Sequence, residues 1–246
     1  MKKNILLLLS IVLLAISCDS NQPDPRTIMD QAMKVHGTDV TDKGELSFDF
    51  RGIPYTAARK NGAYTYKRHL MIGADTVVDQ LSNEGFSRLK NGQKLNLPDS
   101  LSTRYAASVN SVIYFAQLPY SLDGEAINLK YIALDTINEK AYHEIQVTFK
   151  EEGGGEDHED VFMYWVNAQD SFIDYLAYSY CEEECGYRFR ERENRRNLNG
   201  VIVQDYNNYK ASEHDTDLSK LDDLFENGKL VKLSDIDLER ASFSKN

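Results

Sequence analysis

The sequence predicts an α+β protein built mainly from antiparallel strands, with helices covering one face of the sheet. Strand-like alternation of apolar and polar residues recurs along most of the chain. Short turns such as Asn61-Gly62 and Asn91-Gly92 join successive strands, and only antiparallel neighbours allow such short connections. Strands and helices do not alternate regularly, which argues against a parallel α/β fold.

The first helix is predicted over 25–36. Asp24 is a good N-cap, and Pro25 suits the first helical position. Apolar residues then recur at helical spacing, and Gly37 ends the helix.

Strands are predicted where β-branched and aromatic residues alternate with polar ones. In 45–51, for example, Phe48 and Phe50 share one face, while Asp49 and Arg51 share the other. The remaining strands are predicted over 55–60, 63–71, 76–81, 85–90, 127–134, 141–150, 160–167, 172–180, 187–192 and 201–209.

A second helix is predicted between Pro98 and Pro119. Pro98-Asp99-Ser100 is a typical helix start, and Pro119 ends the helix because proline lacks the amide hydrogen. A short third helix is predicted near 218–225. We expect the residues beyond Arg240 to be frayed.

Some strands carry apolar groups on both faces. In 160–167, Phe162 and Tyr164 face one way, while Met163 and Trp165 face the other. In a sheet with one face exposed to solvent, apolar and polar residues would alternate more regularly along each strand. The helix between Pro98 and Pro119, with the 25–36 helix beside it, is therefore expected to cover the second face.

Residues 1–18 carry a targeting pattern. Lys2 and Lys3 precede an apolar run, and Ser17 precedes Cys18. The run is shorter than the ~20 residues that a membrane-spanning helix needs. It resembles a bacterial lipoprotein signal, which implies cleavage before Cys18 and lipid attachment to its sulfur. A plain secretory signal with an incidental cysteine is the alternative.

This pattern divides the chain into a signal peptide (1–17), a tether (18–24) and a single β-rich domain (25–246). The tether spans on the order of 15 Å as a flexible coil, so the domain is expected to lie close to a membrane. We expect a membrane-anchored lipoprotein of the cell envelope, on the periplasmic or surface face, with the outer membrane favoured over the inner.

Composition excludes some classes of function. The formal net charge is −11, whereas nucleic-acid-binding proteins carry a basic footprint. The sequence contains no phosphate loop, dinucleotide fingerprint, nucleophile elbow or zinc-protease motif. We therefore assign no catalytic residue, no cofactor and no nucleic-acid partner, and the oligomeric state stays open.

One N-terminal helix, many antiparallel strands and a helix inserted mid-chain resemble the LolA/LolB lipoprotein-carrier superfamily in their order. Several short sequence segments are similar to those of an uncharacterised family of Bacteroidota lipoproteins. The segments that carry this similarity are Ser47-Phe-Asp-Phe-Arg-Gly52, the run 108–115, Leu118-Pro-Tyr120, Glu152-Gly-Gly-Gly155 and Tyr164-Trp165. The superfamily resemblance implies a curved sheet that forms an incomplete β-barrel, whose concave face, covered by helices, holds acyl chains or another apolar ligand.

Aromatic residues of the predicted strands and of the second helix are candidates for lining such a cavity. An ordinary core is the alternative, and it is favoured for any single residue. The candidates are Phe48, Phe50, Tyr64, Tyr66, Tyr105, Phe115, Tyr164, Trp165 and Tyr178, with Phe162 in the wider aromatic set.

Strand-borne arginines are candidates for a polar pocket that fixes an anionic head group. These are Arg51, Arg68, Arg188 and Arg190. A solvent-facing ladder of charges is the alternative, and it is favoured.

Two further patterns are local. Cys181 and Cys185 lie at a predicted hairpin tip, where a disulfide is favoured over free thiols or a zinc half-site. The run 151–160 contains Glu156, Asp157, His158 and Asp160, which are possible metal ligands. A solvated acidic hairpin tip is favoured there, so no metal is assigned.

Together these patterns predict a lipid-anchored binding protein that holds or transfers an apolar or amphipathic ligand, lipid-like in character. A structural or interaction lipoprotein with a filled core and an acidic docking face is the alternative. A hydrolase with a dispersed site is a third, less favoured interpretation.

Overall fold

The computed structural model describes residues 22–153, 159–181, 185–211 and 217–245. The strands are β1 (Gly44–Phe50), β2 (Ile53–Lys60), β3 (Ala63–Ile72), β4 (Asp75–Ser82), β5 (Gly85–Lys90), β6 (Gln93–Lys94), β7 (Ile127–Ile137), β8 (Lys140–Phe149), β9 (Phe162–Asn167), β10 (Ile173–Cys181), β11 (Cys185–Leu198), β12 (Val201–Ala211), β13 (Leu230–Ile236) and β14 (Glu239–Lys245). The helices are α1 (Pro25–His36), α2 (Thr38–Thr41), α3 (Asp99–Ala116) and α4 (Leu221–Glu226), and a 3₁₀ turn over Leu218–Lys220 precedes α4.

The strands form two seven-stranded sheets in which neighbours pair in antiparallel fashion. The first sheet has the order β14-β1-β2-β3-β4-β5-β6, and the second has the order β13-β12-β11-β10-β9-β8-β7. Neither sheet closes on itself, which agrees with an incomplete barrel. The predicted fold class, mainly antiparallel β within an α+β protein, is confirmed.

Most predicted elements are present, but the C-terminal expectation is wrong. The residues beyond Arg240 belong to β14, which pairs with β1 through contacts such as Leu46 with Phe243. Phe243 is buried in the first sheet's core, so burial holds this strand in place. Strand β13 was also not predicted, because Lys232 and Asp235 interrupt its apolar pattern.

Three apolar clusters fill the space between the layers. In the first sheet, Leu46, Phe48 and Tyr55 pack against one side of α3. In the second sheet, one face of β9 packs on α1, and its other face packs on α4 with the preceding 3₁₀ turn. The prediction that β9 is covered on both faces holds, and the C-terminal helix supplies the second cover.

The start of the domain is fixed by a close backbone approach. Asp24 caps α1 by accepting hydrogen bonds from the amides of Arg26 and Thr27. Gly37 then ends α1 with φ of 74°, in the left-handed region that glycine tolerates best. A β-carbon at this position would overlap the carbonyl of Gly200 in the β11–β12 turn. Only glycine therefore lets α1 dock on the second sheet.

Replacing Gly37 with alanine is expected to lower the free energy of unfolding by about 3 kcal/mol, since backbone strain and a backbone clash act together. Gly62→Ala is the matched control. Gly62 has φ of 79° but nothing near its β-carbon position, so strain alone should cost ~1 kcal/mol. Urea denaturation of both variants measures the difference, and equal losses would contradict the proposed contact.

Candidate functional site

A cavity of about 150 Å³ lies where the C-terminal half of α3 meets both sheets, and it is partly open to solvent. Helix α3 supplies one wall, the end of β1 supplies a second, and strands β10 to β13 with the segment after them supply the rest. The lining consists of Phe50, Ser111, Val112, Phe115, Ala116, Tyr178, Arg190, Gln204, Tyr206, Ile236 and Leu238. The surface is mainly apolar, with a few polar groups from neighbouring strands.

Strand alternation points Arg190 into this cavity. Its neighbour Phe189 faces the other side of the sheet and is buried under α4. Arg190 therefore faces the side that α1 and α3 cover. Only 7% of Arg190 is exposed, so an arginine occupies a place where the pattern of the fold would suit an apolar residue.

Aromatic rings surround the Arg190 guanidinium. Its central carbon lies 3.9 Å from the ring centroid of Phe115, 5.2 Å from that of Tyr178 and 6.0 Å from that of Tyr206. Nη2 donates a hydrogen bond to the hydroxyl of Tyr178 over 3.0 Å. The ring faces stabilise the cation, but they offer no acceptor in the plane of the guanidinium.

Arg190 is left with two unused nitrogens. Nε and Nη1 are buried and have no hydrogen-bond partner within the described part of the chain. No described carboxylate forms an ion pair with this side chain either. A buried cation in this state is costly unless something pairs with it.

The floor of the cavity is held by a hydrogen-bonded network. Gln204 Nε2 donates to the Tyr206 hydroxyl over 2.8 Å and to the Ile173 carbonyl over 3.0 Å. Its Oε1 accepts from Arg195 Nε over 3.1 Å. Burial raises the pKa of Tyr206, so this hydroxyl stays protonated and can donate a hydrogen bond at neutral pH.

The predicted cavity residues separate into two groups. Phe50, Phe115 and Tyr178 line the cavity. The others lie elsewhere: Phe48, Tyr64 and Tyr66 belong to or pack on the core of the first sheet, Tyr105 stacks on Arg88, Phe162 and Tyr164 lie in the core beneath α1, and Trp165 lies in the core beneath α4.

The predicted arginines separate in the same way. Arg190 alone among them reaches the cavity. Arg68 pairs with Asp79, Arg51 lies over the ring of Phe50, and Arg188 lies over the ring of Tyr180. Four of the lining residues were not identified from the sequence as candidates for the cavity: Gln204, Tyr206, Ile236 and Leu238. Alternation within 201–209 could have placed Gln204 and Tyr206 on one face, but Ile236 and Leu238 follow a strand that was not predicted.

Several predicted residues fall outside the described part of the chain. These are Cys18, Glu156, Asp157, His158 and the side chain of Cys181. Cys185 is disulfide-bonded, and Cys181 is its partner in the strand register, so the pair itself stays a prediction. Within the described ranges, no group of three or more histidine, cysteine or acidic side chains is arranged to hold a metal ion.

A second polar feature lies on the opposite face of the second sheet. Glu144 and Asp222 are each 2% exposed, and each has a carboxyl oxygen without a partner among the described residues. Burial, followed by repulsion from Asp222, raises the pKa of Glu144 to about 8. Burial and a hydrogen bond with Asp135 raise the pKa of Asp222. Both groups therefore favour the neutral form, and neither lines the cavity.

Comparison with known families decides the membership of this chain. A model for DUF6503, a family of unknown function, matches residues 2–238. The chain belongs to the DUF6503 family. No curated protein sequence matches it. In the described ranges of this DUF6503 protein, no helix combines the length and apolar character that a membrane crossing requires.

Three solved structures resemble the fold of this DUF6503 chain at low overlap. A DUF1329 family protein from Desulfovibrio piger is 10% identical, with a TM-score of 0.43 over 90% of this chain and 94% of that chain. The lipoprotein LppX of Mycobacterium tuberculosis is 9% identical, with a TM-score of 0.28 over 64% and 90%. The MucA/MucB complex of Pseudomonas aeruginosa is 12% identical, with a TM-score of 0.27 over 85% and 64%.

All three TM-scores lie below 0.5, and these likenesses assign no function to this chain. The likeness to the LolA/LolB superfamily and the origin in Bacteroidota stay predictions from the sequence.

Glu144 gives this DUF6503 protein an expected pH dependence. Its pKa rises from 4.5 to about 8 in the folded state, so the folded chain holds a proton that the unfolded chain has released. Stability should therefore fall as pH rises towards 8, with a slope approaching ~1.4 kcal/mol per pH unit from this group. Burial lowers the pKa of His36 to about 3, which opposes this trend only below the ordinary histidine value of 6.5.

The measurement is chemical denaturation between pH 6.5 and 8. Glu144→Gln keeps the shape and removes the titration, so its stability should fall less steeply than that of the wild type. Glu84→Gln, at an exposed turn, is the control and should keep the wild-type slope. Identical slopes in wild type and Glu144→Gln would contradict the assignment.

Proposed function

We propose that this protein is a binding protein of the cell envelope that holds the apolar part of a small amphipathic ligand in the cavity beside α3. The observation that carries the proposal is the cavity itself, about 150 Å³ in volume. Well-packed domains contain few voids larger than a water molecule. Concave, mainly apolar pockets with a few convergent polar groups are typical ligand sites.

The size of the cavity limits what it encloses. Apolar cavities of about 150 Å³ take up benzene-sized groups. The closed part of the cavity therefore suits about six apolar atoms, and a longer chain would leave through its open side. This supports a short or amphipathic ligand rather than full enclosure of several acyl chains.

The chemistry of the lining supports binding rather than hydrolysis. Its polar side chains are Ser111, Tyr178, Arg190, Gln204 and Tyr206. The described lining includes no histidine, cysteine or carboxylate, so it offers no general base for a nucleophile. The filled-core alternative is less well supported, because part of the interior between α3 and the sheets is open.

The same proposal places the protein at a membrane through Cys18. Support comes from the pattern of residues 1–18, since two or more acyl chains on one residue give stable anchoring.

Cys18→Ala in the full chain is expected to move the protein from the membrane fraction to the soluble fraction after cell lysis. Ser20→Ala, two residues further on, is the control, and an unchanged membrane pool in Cys18→Ala would refute the anchor.

Native mass spectrometry with solvent extraction tests the cavity. The chain from Asp19 onward, purified from a lipid-containing host, is expected to carry an apolar or amphipathic adduct. Val112→Phe should reduce this adduct at least tenfold, because a larger side chain from α3 fills the space that the ligand needs. The folded state of the variant is checked by thermal unfolding.

Asn110→Phe is the matched control. It places the same ring on the same helix at an exposed position outside the lining, so it should retain the adduct. A wild-type protein that carries no adduct and takes up no added amphiphile would overturn the proposal and favour an interaction role instead.

A further inference from the structure

We infer that the cavity contains a built subsite for a carboxylate at Arg190, so that the ligand is a monoanionic amphiphile with an acyl-type acid group. The inference rests on the proposed function and names the chemical class of its ligand. It starts from the juxtaposition of a nine-tenths buried arginine and an open space lined by apolar side chains.

The unused donors of Arg190 point to an acceptor that the described chain does not supply. Nε and Nη1 are both buried without a partner, while Nη2 is bound by the Tyr178 hydroxyl. Leaving a buried charged donor unsatisfied costs more than leaving a neutral one. A carboxylate in the cavity would satisfy these donors with charge-assisted hydrogen bonds.

Other buried charges in this chain show how the fold normally treats such groups. Asp79 is met by Arg68 and Arg88 at 2.6 and 2.5 Å. Asp174 is met by Arg192 and Arg195 at 3.1 and 2.5 Å. Each of these buried acids has its counter-ions within the protein. Among the described residues, Arg190 is met by aromatic rings and by no carboxylate, so we infer that a ligand supplies its counter-ion.

The polar neighbours favour an anion over a neutral or cationic head group. The hydroxyls of Tyr178 and Tyr206 each accept one hydrogen bond, from Arg190 and Gln204 respectively. Neither donates to any side chain or backbone group that the structure describes, so each keeps a hydrogen to offer. The described lining therefore presents donors around Arg190 and no negative charge.

One cation and a small volume favour a carboxylate over a phosphate. A phosphate monoester carries nearly two negative charges at neutral pH and three acceptor oxygens, which a single arginine leaves partly unpaired. A carboxylate carries one charge and two oxygens. The apolar remainder of the acid would lie against Val112, Phe115 and Ile236.

The test is isothermal titration of the delipidated chain from Asp19 onward with three probes of eight carbon atoms each: octanoate, octanamide and octyl phosphate. Wild type is expected to bind octanoate at least tenfold more tightly than octanamide, since a charge-assisted hydrogen bond in a buried site is stronger than a neutral one. It is also expected to bind octanoate at least tenfold more tightly than octyl phosphate, because a single arginine leaves part of the phosphate charge unpaired. Arg190→Met should bind octanoate and octanamide equally. Arg188→Met, on the same strand beside Tyr180, should keep the preference.

The wild-type comparison needs no variant, so the test holds even if Arg190→Met fails to fold. Equal affinity of wild type for octanoate and octanamide would overturn the carboxylate subsite and leave the proposed binding function in place. Tighter binding of octyl phosphate would overturn the choice of carboxylate. If no probe binds and no adduct is found by mass spectrometry, the proposed function fails together with this inference.

Discussion

The join between the two sheets positions one wall of the cavity. Strand β13 ends one sheet and β14 begins the other, with only two residues between them. Asp205 fixes this join by accepting hydrogen bonds from Arg196 at 2.6 and 2.7 Å and from the amide of Leu238 at 2.9 Å. Burial alone would raise the pKa of Asp205, but the hydrogen bonds from Arg196, Leu238 and Asn194 outweigh it and lower the pKa. The carboxylate therefore stays charged and holds Leu238 against α3, where it forms part of the cavity wall.

Helix α3 lies on both sheets and cannot match both surfaces closely. Its residues Val109 and Ile113 are fully buried against the first sheet. Towards its C-terminal end, Phe115 turns to the second sheet and meets Arg190, Tyr178 and Phe162. The cavity lies beside these two contacts, and the small side chains of Val112 and Ala116 form part of its lining. A void of this kind normally lowers stability in proportion to its volume.

Sequence patterns specified the elements better than their mutual arrangement. The two-faced pattern of Phe162 to Trp165 correctly required cover on both sides of β9, because alternation depends only on local backbone geometry. It could not tell that α4 would cover Trp165, since that depends on contacts between distant segments. The sequence identified four of the lining residues as candidates: Phe50, Phe115, Tyr178 and Arg190. The alternation pattern, however, offered no reason to prefer Arg190 over Arg68 or Arg188. The difference lies in partners: Arg68 has Asp79 across the strand pair, whereas Arg190 faces Asn208 in the register and α3 above it. Ile236 and Leu238 were missed because the charged residues of β13 hide an edge strand.

Arg190 has two buried nitrogens without a partner among the described residues, which lowers the stability of the folded chain. Ligand binding in the cavity would account for keeping such a residue. A methionine of similar length would satisfy the apolar surroundings without any desolvation cost. The chain instead keeps a guanidinium between the rings of Phe115 and Tyr178, which holds it in one orientation before any ligand arrives. Preorganisation of this kind lowers the entropic cost of binding, and the desolvation cost has already been met in folding. An anionic group that enters the cavity would then gain the full strength of a buried charge pair. The neighbouring hydrogen bonds of Gln204 with Tyr206 and Arg195 fix the surroundings in the same way, so that the cavity wall beside Arg190 is set before a ligand enters.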